Sequence, residues 1–183
     1  PEISDDLTFA LQPEQLLADL AEAVAEGVPA RPVVIGPVTF LALSKALPGS
    51  VEPLERVDDL VPLYQQLLRL LRAGGAEWVQ FDEPALVTDL DAGTLDKVTE
   101  LYGTLAGSSD RPALCVATYF GDAGPALGAL GATEIDAVAV DLVAGGLGTL
   151  AATTAFHDRL VVAGVVDGRN VWRTDLDAAL GTL

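Results

Sequence analysis

Five short apolar runs recur along the chain, and each is followed, after a polar break, by a stretch with helical spacing. The runs are Val33–Ile35 within RPVVIGPVTF, EWVQF at 77–81, PALCVAT at 112–118, IDAVAVDL at 135–142 and RLVVAGVV at 159–166. They are continuous, without polar alternation, which is the pattern of strands covered on both faces in a parallel sheet. Between them, Leu16, Leu17, Leu20 and Val24 recur at helical spacing, opened by Pro13 and stopped by Gly27. The clearest amphipathic stripe is Leu60, Val61, Tyr64, Leu67, Leu68 and Leu71, with Asp58 as the expected cap and Gly74-Gly75 as the stop. Further helices are predicted at 92–106 and 123–130, a weak one at 148–157, and a last one opening near Thr174. Residues 1–12 carry no period.

The strand starts, near 31, 77, 112, 136 and 160, lie 24 to 46 residues apart. That spacing suits consecutive right-handed βα units. Two architectures remain open: a doubly wound sheet, or part of an eight-stranded βα barrel, which usually needs about 250 residues. No glycine-rich dinucleotide fingerprint follows any strand, and the phosphate-loop pattern with its lysine is absent. No low-complexity linker divides the units, so residues 1–183 read as one piece.

Half of the residues are hydrophobic, which marks a globular chain. The 27 acids against 10 bases leave a formal charge of −17. Such a field disfavours nucleic acid and anionic membrane, whose recognition needs Lys and Arg on phosphate, and suits an acidic surface kept for solubility. The long apolar stretches are broken by Asp141, Asp158 or Asp167, so no membrane span is expected. A lone cysteine, Cys115, forbids an internal disulfide and fits a reducing cytoplasm, and no signal peptide is recognised. The chain opens on Pro1 and contains no methionine, so it reads as an internal piece of something longer.

Each predicted strand ends in polar residues: Asp82-Glu83, Thr118-Tyr119, Asp141 and Asp167. The carboxyl ends of parallel strands are where βα folds place ligand groups. The competing reading is that these acids cap the turns and helices that follow. His157 reads as a surface histidine, Cys115 as an inert core residue, and Trp78 and Phe81 as core rather than as a substrate platform.

Four segments, RPVVIGPVTFLALSK, GAEWVQFDEPALVTDL, ATYFGDAG and VVAGVVDGRNVWRTDL, together resemble the cobalamin-independent methionine synthases, in particular the actinobacterial form. The likeness runs over the whole chain with the segments in order. It implies α/β architecture, a partial (β/α)8 TIM-type barrel of about five parallel strand-helix units. It also implies a two-barrel enzyme, of which this is the later part of the amino-terminal barrel with roughly three βα units missing. That family moves a methyl group from polyglutamylated 5-methyltetrahydrofolate to homocysteine.

The same resemblance implies that zinc sits in the other barrel, on a His, two Cys and a Glu. Where the catalytic barrel has HMCY, this chain reads Val116-Ala117-Thr118-Tyr119, which offers no ligand set. No catalytic residue and no metal are therefore expected here. Asp82, Glu83, Thr118, Tyr119, Asp141, Asp167, Arg169, Asn170 and Arg173 are expected at the barrel mouth, Asp82 and Glu83 in a structural hydrogen-bond network. Arg169 and Arg173 are expected either to pair with those acids or to meet the partner barrel. Residues that contact the polyglutamate tail would lie earlier in the parent chain. The implied partners are the missing strands, the carboxyl-terminal barrel, and folate and homocysteine as substrates of the parent. The isolated piece is expected to be inactive and to self-associate through its strand edges. Alternative readings are a scaffold barrel without chemistry, or a metal-free barrel enzyme of the uroporphyrinogen decarboxylase type, which FDEPAL and DGRNVWR fit less well.

Overall fold

The computed structural model describes residues 1–146 and 153–182. Along the chain run β1 (Glu2–Ile3), α1 (Glu14–Ala25), β2 (Val33–Ile35), α2 (Pro37–Ala42), β3 (Lys45–Ala46), α3 (Val57–Ala73) and β4 (Trp78–Asp82). They are followed by α4 (Ala92–Ala106), β5 (Ala113–Ala117), α5 (Gly124–Gly131), β6 (Ala137–Asp141), β7 (Leu160–Gly164) and α6 (Leu176–Leu180). Single 3-10 turns lie at Pro53–Arg56, Pro84–Val87 and Thr153–Phe156.

Among the described residues five strands form one parallel sheet in the order β2-β4-β5-β6-β7, so strands of this sheet that follow one another in the chain are neighbours throughout. A doubly wound sheet would reverse its strand order at a switch point and carry helices on both faces. Neither holds here. Val34, Val79, Phe81, Leu114, Val116, Val138 and Val140 share the face beneath the helices, and all but the half-buried Val34 are buried. The opposite face carries Val33 (50% exposed), Ile35 (41%), Leu160 (53%) and Val162 (36%). This one-sided arrangement is an arc of a βα barrel. The expectation that both faces would be covered therefore fails on the edge strands β2 and β7. Their inner residues are as apolar as their outer ones, so the sequence pattern alone did not distinguish the two faces.

The predicted helices are present with small corrections. Pro13 is the N-cap of α1 instead of its first residue, and Gly27 follows its end at φ 68°. Asp58 lies in the first turn of α3, and Arg56 holds the N-cap position because the 3-10 turn Pro53–Arg56 runs directly into the helix. The last helix starts at Leu176, capped by Asp175, whose carboxylate accepts from Ala178 N at 3.1 Å. Of the weak helix expected at 148–157, residues 148–152 lie outside the described residues, and Thr153–Phe156 is a 3-10 turn. Strands β1 and β3 and helix α2 are too short to leave a period, and β1 falls within the stretch read as patternless.

Two arginines fasten the ends of the strands remote from the mouth. Arg111 donates to Ala106 O, Pro112 O and the Asp136 carboxylate. Arg159 donates to the carbonyls of Thr133, Ile135, Gly131 and Ala155 and lies 4.7 Å over the Phe156 ring. These are carbonyls left over at the C-terminal end of α5 and in the turns around it, where a planar guanidinium suits several acceptors at once. At the opposite end Arg56 donates to Ser4 O and Leu7 O and lies 4.8 Å over Phe9, which holds the N-terminal segment in place beside the β1–β3 pair.

Candidate functional site at the carboxyl ends of the strands

Strand β4 alternates half-buried Trp78, Gln80 and Asp82 with fully buried Val79 and Phe81. Continuing the period by one residue turns the two acids to opposite faces. Asp82 points to the inner face, and Glu83 points under the helices, where it is 0% exposed.

The Glu83 carboxylate is bound by three donors. Its Oε1 accepts from Val38 N at 3.1 Å and from the Tyr102 hydroxyl at 2.6 Å, and its Oε2 accepts from Thr39 N at 2.7 Å. Val38 and Thr39 are the second and third residues of α2, whose N-cap is Gly36 and whose first residue is Pro37. Gly36 has no side chain to cap with, and Pro37 has no N–H to be capped. A carboxylate from across the sheet takes both remaining donors. The exchange is reciprocal, because the Thr39 hydroxyl accepts from Ala85 N at 3.1 Å in the turn after Glu83. Burial pushes the Glu83 carboxyl upward, and the bonds from Thr39, Tyr102 and Val38 oppose that shift. Burial, with the Glu83 charge second, pushes Tyr102 up strongly and also raises Tyr64, whose hydroxyl donates to Ile35 O at 2.8 Å. Glu83 is thus a helix cap inside the helical layer, hydrogen-bonded to α2 and α4, and does not stand at the mouth where the sequence reading put it.

The mouth proper is built from the loops after β4, β5, β6 and β7. Asp82 accepts from Gln80 Nε2 at 2.7 Å and from the Tyr119 hydroxyl at 3.2 Å. Burial raises Tyr119, followed by the charge and hydrogen bond of Asp82. Thr118 is 2% exposed and donates its hydroxyl to Ala139 O at 3.2 Å. Asp141 accepts from Phe120 N at 3.0 Å and from Val143 N and Ala144 N, both at 2.9 Å. Phe120 is held at φ 78°, the left-handed region, and its 64% exposed ring meets that of Tyr119 at 4.6 Å, edge to face. Asp167 accepts from Arg169 N and from Asn170 Nδ2, both at 2.9 Å, with the Arg169 guanidinium 3.8 Å away. The backbone N–H of Arg169, with Asn170 next, holds the Asp167 carboxyl below its ordinary value. Asn170 in turn accepts from Trp172 N at 2.9 Å.

Thr118, Tyr119, Asp141, Asp167 and Arg169 line one open groove of about 400 Å³, floored by Val140, Val143, Gly164 and Val166. Asp82 joins it through Tyr119. Glu83 does not, and Arg173 lies apart, exposed, beside a separate hollow formed with residues 174–177 where α6 begins. Asp141 and Asp167 each accept backbone N–H groups of the loop that follows, as caps do. Chemically this arrangement shapes the mouth. Sequence reasoning missed Gly36, Thr39, Tyr102, Gln80 and Phe120. The one available signal was Gly36-Pro37 directly after a strand, a helix start that lacks a side-chain cap.

The residues present do not fit a thiolate-type zinc site. Cys115 is fully buried within β5, His157 is exposed beside Asp158 at 2.9 Å, and no group of three His, Cys, Asp or Glu side chains gathers for a metal among the described residues. Phe81 is core, edge to face with Tyr64 at 5.3 Å. Trp78 departs from expectation: it lines an open hollow of about 570 Å³ on the inner face, with Cys115, Ala137, Leu160 and Val162.

All 183 residues match the family model described as "Cobalamin-independent synthase, N-terminal domain". The chain is 57% identical over its full length to the 5-methyltetrahydropteroyltriglutamate–homocysteine methyltransferase of Mycobacterium tuberculosis. It is 54% identical to that of Rhodococcus jostii and 49% to that of Mycobacterium leprae. In each case the chain spans 24% of the relative's length. Among solved structures, a B12-independent methionine synthase from Shewanella sp. W3-18-1 superposes with a TM-score of 0.74 at 14% identity, over 92% of this chain and 54% of the other. A Listeria monocytogenes protein described as a vitamin-B12 independent methionine synthase gives 0.70 at 18% identity, over 98% of this chain and 59% of the other. At those identities the superpositions speak for the fold.

Proposed function

We propose a function from one premise: the chain belongs to the cobalamin-independent synthase N-terminal domain family, which it matches from end to end. The chain serves as part of the amino-terminal barrel of a methyltransferase that moves the methyl group of 5-methyltetrahydropteroyltriglutamate to homocysteine. The observation that carries this reading is the unbroken match over 183 residues to methyltransferases of which it spans 24%. In this reading the chain is a scaffold. Its mouth groups are engaged in holding their own loops, and zinc and the thiolate chemistry belong to residues elsewhere in the longer protein, in the cytoplasm. A zinc held there by a His, two Cys and a Glu would lower the pKa of a bound thiol below the ordinary value of about 8.5, and that is the chemistry it would supply.

Fragment complementation tests the reading. The chain alone, given homocysteine, zinc and the methyl donor, forms no methionine above background. Expressed together with a mycobacterial methyltransferase lacking the matching segment, it restores turnover. Turnover by the chain alone, or no restoration when both parts are folded, refutes it. Isolated, the chain self-associates, because the edge strands β2 and β7 carry exposed apolar inner residues and unpaired backbone groups. Light scattering at micromolar concentration checks this, and a monomer with cooperative unfolding contradicts it.

A further inference from the structure

The buried Glu83 carboxyl is not needed by the scaffold reading, and its setting suits more than capping. It joins the two segments that leave neighbouring strands: the Gly36–Thr39 start of α2 after β2 and the 3-10 turn after β4. Each loop satisfies the backbone of the other, through Glu83 on Val38 and Thr39 and through Thr39 on Ala85. The fit leaves no slack, since a Cβ at Gly36 would stand 2.2 Å from Glu83 Cδ. Around the carboxyl stand Thr39 of α2, Tyr64 of α3 and Tyr102 of α4, with Asp82 beside it in the chain and Tyr119 beyond β5. Among the described residues no lysine, arginine or histidine figures in its surroundings. A charge there has the hydrogen bonds from Val38, Thr39 and Tyr102 and a short helix to offset full burial, and burial is the larger effect.

We propose that Glu83 is a proton-linked latch: its side chain fastens the loop after β2 to the loop after β4, and the two part more readily when it is charged. The sign follows from linkage. The closed, dry carboxyl holds its proton more tightly than the same group released into water, as burial dictates. Closure is therefore linked to proton uptake, fully supported below the ordinary carboxyl range and weakened as the pH rises through the elevated value. The neutral form keeps two bonds in place. Its carbonyl oxygen accepts from Thr39 N, and its hydroxyl donates to the Tyr102 oxygen, which reverses the present direction of that bond. Opening frees α2, and with it the excursion that carries β3 and the Pro53–Arg56 turn.

Amide hydrogen exchange on the whole 183-residue chain tests the latch. After correction for intrinsic exchange, the opening constants of Val38 and Thr39 are expected to rise with pH. The limiting slope is about tenfold per unit between the ordinary carboxyl range and the raised value of the closed state, while amides of the α4 core stay unchanged. In Glu83→Gln, whose amide stays neutral and can still donate to Tyr102, the slope disappears and protection persists at high pH. A slope that survives in Glu83→Gln, a flat profile in the native chain, or a rise in opening towards acid overturns the proposal. Should that variant fail to fold, carbon NMR titration of the Glu83 carboxyl in the native chain decides instead. A midpoint above the ordinary carboxylate range supports the latch, and one within or below it refutes it.

Discussion

Alanine at Gly36 should be destabilising at a position where alanine ordinarily helps. The backbone there is extended, φ −73° and ψ 156°, which any residue adopts. Loss of unfolded-state freedom alone would make Gly36→Ala stabilising by about 0.4–1 kcal/mol. The new Cβ, however, would stand 2.2 Å from Glu83 Cδ and Oε1 and 2.5 Å from Cγ. Glu83 is fully buried and held by Val38, Thr39 and Tyr102, so it cannot yield without losing those bonds. An uncapped helix start costs about 1 kcal/mol, and a buried polar group left without its partners costs about 1–3 kcal/mol. A net loss of about 2 kcal/mol is expected, a large share of the roughly 5–15 kcal/mol of a typical domain.

Urea unfolding of Gly36→Ala measures it, beside Gly103→Ala and Gly128→Ala. Those two glycines lie in α4 and α5, and a Cβ there meets nothing within 4 Å. The controls should gain up to about 1 kcal/mol each. With slopes of about 1–3 kcal/mol per molar urea, Gly36→Ala should lower the midpoint by about 1 M or more. In a Glu83→Ala background the same substitution should cost almost nothing, since the obstacle has gone. A Gly36→Ala midpoint at or above that of the native chain, or an equal loss in both backgrounds, refutes the reasoning.

Three further outcomes are expected. Arg159→Ala removes donors to four carbonyls and the contact with the Phe156 ring. It should cost about 2–3 kcal/mol in the same assay, with Arg159→Lys recovering little because an ammonium cannot reach that many acceptors at once. Phe120→Gly relieves the φ of 78° at a largely exposed site but loses the Tyr119 contact. Its stability should change by less than about 1 kcal/mol, whereas Phe81→Ala, in the core, should cost about 3–5 kcal/mol. Asp141→Ala leaves Phe120 N, Val143 N and Ala144 N without their acceptor, and those three amides should exchange faster while the core of β5 and β6 does not.

The order of strands and helices was legible because each βα unit repeats one pattern, a solid apolar run and then a stripe such as Leu60, Leu67, Leu68 and Leu71. The hydropathy pattern alone did not choose between an open sheet and a barrel, as Val33 and Leu160 are apolar whether helices or barrel lumen cover them; the likeness of the four motif segments did. Short pieces escaped for a different reason. Six residues of α2 make less than two turns, too few to establish a period. The mouth was legible as a place, since Thr118, Tyr119, Asp141 and Asp167 do gather there, but the chemistry of each acid was not. Which donors an aspartate meets depends on loops that bring together Phe120 and Asp141, 21 residues apart, and Glu83 and Val38, 45 apart. Nothing local in the sequence encodes such meetings.

Parity along β4 accounts for a strand that ends on two acids. A strand in a one-sided sheet has a face beneath helices and a face towards the lumen, and adjacent residues must divide between them. At the final position the lumen face is polar, because Asp82 can share it with Gln80 and Tyr119. The helical face is apolar everywhere along β4 except at its end, where α2 arrives with two unpaired N–H groups. A leucine at position 83 would bury as well as Phe81 does and leave both donors orphaned. A serine or aspartate there is too short to span the distance that the Glu83 side chain covers. Glutamate is the residue that reaches, and Gly36 is the residue that gives it room. The two acids are therefore alike only in sequence: Asp82 is held by the polar rim of the mouth, and Glu83 closes the backbone of a helix in the core.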